Sequence, residues 1–278
     1  MKNSYHFIIL FFICSIIFFN ARDYAYAKKN PYVGERFHHD TELKRGEAIN
    51  EWSSLFKGQK LSPIEYKTYP DTQKIKLPDS EFIGMPVEEA IEKRRSARVF
   101  SGEPLTLPEL SRLLYSAAGI TARYGDFQLR AVPSHGASYP IEIYTLIKNV
   151  SGVTPGLYHY LPQEHSLELI KEGDVGIDFI CIKPINLTKA AVIFFLTAVP
   201  ERITSQFDIR GYRYIYTEAG HISQNLYLQA TSLGLGSVAI GSFYDNEVNS
   251  LLGLDGRNEF AVYAHVAGRA AVVEAGGN

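Results

Sequence analysis

The chain has 278 residues, 46% of them hydrophobic, with 28 basic and 30 acidic side chains and a formal net charge of -2. This composition excludes wholesale disorder, and the balanced charge excludes the broad basic face by which proteins hold nucleic acid. The length is enough for one substantial core or two modest ones.

At the N-terminus, Lys2 precedes an apolar run from Phe7 to Phe19, and Ala25, Tyr26 and Ala27 form an A-x-A site. Residues 1–27 are therefore expected to be a secretory signal peptide cleaved after Ala27, which makes the protein exported, either periplasmic or secreted. The run is shorter than the roughly 20 residues of a membrane span, so a membrane contact is expected only if the signal stays uncleaved. Cys14 would leave with the signal, and the remaining Cys181, inside the apolar string IDFICI, reads as a buried thiol with no disulfide partner.

Residues 28–80 are polar and rich in turns, with Pro31, Pro63, Pro70 and Pro78, and are expected to form an arm that wraps a core. The core domain is assigned to residues 81–272. Helices are predicted at 86–93 and at 106–116, the second from the T-x-x-E capping box of Thr106 and Glu109 with Pro108 in its first turn. Between them, EKRRSARVF places Arg94, Arg95 and Arg98 around Ser96. Like charges this close repel, so a multivalent anion such as a phosphate is the partner they suit. A solvated basic end of a helix, favoured by the helix dipole, is the plainer alternative.

Further on, RAVPSHGASYP is a small, turn-prone loop whose Pro133, Ser134, His135 and Gly136 allow backbone to approach a flat ligand. His135 is either a donor to that ligand or simply an exposed side chain. Strands are predicted at 141–147, in a hairpin made of GLYHYL and SLELI, in the buried run 190–199, and at 260–268. A long amphipathic helix is predicted from Tyr214 to Leu233, ended by Gly234 and Gly236. It carries Glu218, His221 and Asn225 on one stripe, a polar network rather than a metal site, because no second E-x-x-H helix accompanies it. After it, LGLGSVAIGSFYDNEV offers exposed amides at Gly236, Ser237, Gly241 and Ser242, with Asp245 as the N-cap of one more helix. Helices and strands mix without a βαβ repeat, which predicts an α+β domain with one central sheet.

The ordered set RRSARVF, PSHGASYPIEIY, RGYRYIYTEAGHISQNLYLQATSLGLGSVAIGSF and VAGR resembles the nitroreductase-like flavoproteins, specifically their SagB-type subgroup of thiazoline/oxazoline oxidase-like dehydrogenases. The resemblance runs from about Phe37 to Ala270. It implies a mostly antiparallel sheet flanked by helices, an intertwined homodimer, and FMN held between the two copies. It further implies that Arg94, Arg95, Ser96 and Arg98 contact the FMN phosphate, ribityl chain and ring edge, and that Pro133, Ser134, His135 and Gly136 reach across the dimer. By the same resemblance, Ala239, Ile240, Gly241 and Ser242 face flavin N5 and Arg269 lies near the phosphate. The implied activity is hydride transfer through N5, to or from a small conjugated or electrophilic substrate. Azoline oxidation of a peptide, or a non-catalytic accessory role, is the alternative. Azoline-oxidising members resemble one another in carrying a Lys-Tyr pair shortly before the RGYRY position, where this chain has Gln206 and Phe207. Neither side chain can act as a general base, and no catalytic acid or base is assigned.

Overall fold

In the computed structural model the described residues are 33–43, 65–79, 84–125, 127–173, 175 and 187–271. The expected signal peptide, about half of the expected arm and Cys181 lie outside them. The chain divides at residues 57 and 58 into two units. The first contributes one described helix, α1 (Val33–Asp40).

The second unit is built on a sheet whose strands and flanking helices follow in chain order. They are β1 (Lys74–Lys76), α2 (Val87–Lys93), α3 (Leu107–Ala118), β2 (Ile120–Tyr124), β3 (Phe127–Arg130), β4 (Ile141–Ile147), β5 (Gly156–Leu161) and β6 (Ser166–Glu172). There follow β7 (Val192–Ala198), α4 (Glu201–Phe207), α5 (Gly211–Ser232), β8 (Gly236–Ile240), α6 (Asp245–Leu252) and β9 (Phe260–Gly268). Seven strands pair in the order β1-β6-β5-β4-β7-β9-β8, every pairing antiparallel, while β2 and β3 form a separate hairpin. The predicted α+β class therefore holds.

The central strands β4, β5 and β7 are buried along their whole length, so both faces of the sheet are covered. On one face Tyr144, Leu146, Ile193, Phe195 and Val266 pack with Val248 and Leu252 of α6. On the other lies α5, whose Ile215, Ala219, Ile222, Leu226 and Ala230 are buried at helical spacing, with α3 packed beside it. β1 shows that part of the expected arm is an edge strand of the sheet.

Several local expectations are corrected. The long helix begins at Gly211 rather than Tyr214, because a 3-10 turn at 208–210 leads straight into it. Gly234, at φ 69°, makes the turn that follows it, whereas Gly236 already belongs to β8. The N-cap of α6 is Tyr244 and Asp245 is its first helical residue. The predicted helices at α2 and α3 stand, and Thr106 and Glu109 close their capping box reciprocally.

Candidate functional site

α2 ends at Lys93, and the arginine segment leaves it as extended chain that runs along the outer edge of β8. Ala97 N–H donates to Ser237 O at 2.9 Å, while Ser101 N–H donates to Arg269 O and Ala271 N–H to Val99 O, at 2.9 and 3.0 Å. The segment therefore lies between the edge of β8 and the end of β9. Gly236 has to be glycine for this approach: a Cβ there would meet those of Ala97 and Ala270 at 2.8 and 2.9 Å.

Three of the sequence motifs thus share one place. The Arg94 guanidinium stacks over the Tyr227 ring, 4.9 Å from its centroid. The Tyr227 hydroxyl lies 3.0 Å from Ser96 Oγ and accepts Ala239 N–H at 2.8 Å. Arg98 is exposed. Arg95 instead donates to the carbonyls of Glu92 and Arg94, at 2.9 and 2.7 Å, and so satisfies the C-terminal end of α2, as the plainer alternative proposed for this cluster. Arg269 pairs with Glu109 at 2.9 Å, which makes it a shared cation rather than a free one. No carboxylate among the described residues pairs with Arg94, Arg95 or Arg98. This donor set suits an anionic ligand.

The expectation of exposed amides is only half met. Gly236 and Ser237 are buried in β8, and Ala239 N–H is committed to Tyr227, which leaves the exposed Gly241 and Ser242 as the accessible part of that stretch.

The second predicted element, the loop of Pro133, Ser134, His135 and Gly136, meets the other end of α5. His135 stacks on Tyr214 with centroids 3.8 Å apart, and Phe207 packs edge-on against it at 4.6 Å. Gly136, at φ 62°, lies against Gln206 and Phe207, and Ala137 and Tyr139 also hold positive φ, so the loop is strained and its shape is imposed by its surroundings. Arg202 of α4 supplies one constraint, donating to Tyr139 O at 3.3 Å and pairing with Glu142 at 2.6 Å. Tyr214 and Tyr227 stand thirteen residues apart on α5, roughly 20 Å at about 1.5 Å per residue. Within one chain, the loop and the arginine segment are therefore at opposite ends of the helix.

Sequence reasoning missed the charged layer that supports the loop. His159 is buried between Glu142 and Glu168, at 3.0 and 3.3 Å. Burial alone would raise Glu142, but the His159 hydrogen bond and the Arg202 charge outweigh it and hold its pKa near about 2. On α5, Glu218 is 3% exposed, and burial pushes it up to about 7 despite the Ser134 hydroxyl and the Arg130 charge. The expected Glu218, His221 and Asn225 stripe splits: Glu218 is buried, Asn225 donates to Ser116 O at 2.9 Å, and His221 faces outward. Tyr227, the residue that joins two motifs, was passed over because a single tyrosine on a helix carries no motif signal.

The sequence profile of the nitroreductase family matches residues 91–269. The Methanocaldococcus jannaschii protein named as nitroreductase MJ1384 is 44% identical over 184 residues, which are 66% of this chain and 90% of that one. The trifolitoxin-processing protein TfxB of Rhizobium leguminosarum bv. trifolii is 32% identical over 152 residues, 52% of this chain and 41% of that protein. Among solved structures, one from Anabaena variabilis named as a nitroreductase aligns with TM-score 0.67 at 28% identity, covering 84% of this chain and 46% of that chain.

Proposed function

The chain belongs to the nitroreductase family and is an oxidoreductase, and from that premise we propose that it is an exported, FMN-dependent enzyme acting on a small conjugated or electrophilic substrate. The observation that carries the reading is the set of guanidinium groups beside Ser96 that have no carboxylate partner among the described residues, with the exposed Gly241 and Ser242 following the strand that Ser96 bridges. FMN, when bound, supplies the two-electron chemistry of its ring. In this reading Arg94 and Ser96 hold the phosphate, Arg98 offsets negative charge at the ring edge, and the Gly241 and Ser242 backbone faces the ring. Arg269 contributes at a distance, restrained by Glu109.

The loop of 133–136 reaches the site from a second copy of the chain. Two features support this: the roughly 20 Å between the loop and the arginine segment along α5, and an exposed α5 stripe of Tyr216, Thr217, Gly220, His221 and Gln224. Gly220 has open space where its Cβ would stand, so no neighbour among the described residues requires glycine there. In mid-helix that glycine costs about 1 kcal/mol relative to alanine, which close approach by a partner helix accounts for.

Likeness to TfxB raises a peptide substrate as the second reading. Gln206 and Phe207, which line the loop at Gly136, offer no base for azoline oxidation and favour the small-molecule reading. Anaerobic titration of the FMN-loaded protein with NADH or NADPH, followed by a nitroaromatic or quinone acceptor, tests the proposal. Bleaching of the yellow band and its return are expected; flavin that binds yet is neither reduced nor reoxidised indicates the accessory role. Export is tested by locating the full-length chain after cell fractionation, with cleavage after Ala27 expected at the new N-terminus.

A further inference from the structure

Tyr227 sits where the separate elements of the candidate site converge. Its hydroxyl accepts Ala239 N–H at 2.8 Å and lies 3.0 Å from Ser96 Oγ, and its ring carries the Arg94 guanidinium at 4.9 Å. A phenol has one proton to give. If Ser96 donated to Tyr227, the phenolic proton would have no acceptor among the described residues; with Ala239 N–H donating in, the arrangement that satisfies both hydroxyls sends that proton to Ser96 Oγ. The Ser96 proton is then not used on Tyr227 and is available to a ligand bound beside Arg94.

We propose that Tyr227 is a positioning residue for an anionic ligand group: it aims the Ser96 hydroxyl as a donor and holds Arg94 by its ring, while consuming the one β8 amide that would otherwise compete. This rests on reading the cluster as the FMN phosphate site. It assigns the ligand-facing amides to Gly241 and Ser242 and removes Ala239 from that role.

The test measures the binding of FMN and of riboflavin, which lacks the phosphate, by quenching of flavin fluorescence, with circular dichroism of each variant as the check on folding. Tyr227→Phe keeps the ring under Arg94 and removes only the hydroxyl. It is expected to weaken FMN about tenfold, the order of one hydrogen bond to a charged group, and to leave riboflavin within about twofold. Ser96→Ala leaves the Tyr227–Ala239 bond in place and is expected to give the same pattern. The double variant is expected to be no weaker than the weaker single one. Unchanged FMN affinity in a folded Tyr227→Phe or Ser96→Ala protein, or equal loss for FMN and riboflavin, overturns the role given to Tyr227. Failure of the wild-type chain to bind FMN overturns the underlying site reading instead.

Discussion

At the residue scale, the buried charges make separate demands on pH. Glu218 rises from 4.5 to about 7 on folding because burial disfavours its ionised form. The folded state therefore binds the extra proton: the associated stability is complete below pH 4.5, is lost as pH rises toward 7, and is flat above that. Glu218→Gln should remove that falling arm, a difference on the order of 3 kcal/mol between pH 4.5 and 8 in denaturant midpoints. Glu142 has the opposite sign. Held near about 2, it contributes stability above pH 4.5 that is lost as pH falls through its folded value. His159 and Arg202 share the compensation, so Arg202→Ala should cost about 3 kcal/mol in urea unfolding at pH 7, because it takes the paired cation from a buried carboxylate and leaves it chiefly the His159 hydrogen bond. Little of this layer was legible in sequence: Glu142, His159 and Glu168 lie on three different strands, and only the strand register brings them together.

At the scale of elements, regular periodicity translated directly into structure, as in β4 and β9, where alternation or continuous apolar character set the limits. The capping box at Thr106 did the same for α3. Elements whose identity depends on tertiary contact were not legible. β8 reads as a glycine loop because GSVAI is short, and only pairing with β9 makes it a strand. The exposed hairpin of β2 and β3 lacks a clear apolar alternation for the same reason. The arginine, glycine-loop and β8 motifs were all found, and the resemblance implied their grouping around one ligand; what the residues alone did not give is the placement within one chain, where two converge at Tyr227 and the third lies by Tyr214. That third element is the more fragile. Gly136→Val should lose FMN binding by at least tenfold while leaving the sheet folded, since a branched side chain at φ 62° is strained and would meet Gln206 and Phe207 at 3.0 Å. Flavin quenching and far-UV circular dichroism on the same sample separate the two effects.

For the whole molecule, the proposed site joins the arginine segment of one copy to the 133–136 loop of another. The exposed stripe of α5 around Gly220 is the surface on which that contact would form. Gly220→Leu should therefore disperse the proposed dimer and release FMN with it, with the fold of each chain intact. The most direct test of the central claim is sedimentation of the wild-type chain with added FMN, followed at both the protein and the 450 nm flavin bands. Flavin travelling only with a dimer, at one FMN per chain, is the predicted result. Flavin carried by a monomer, or a dimer that stays colourless in excess FMN, would contradict it.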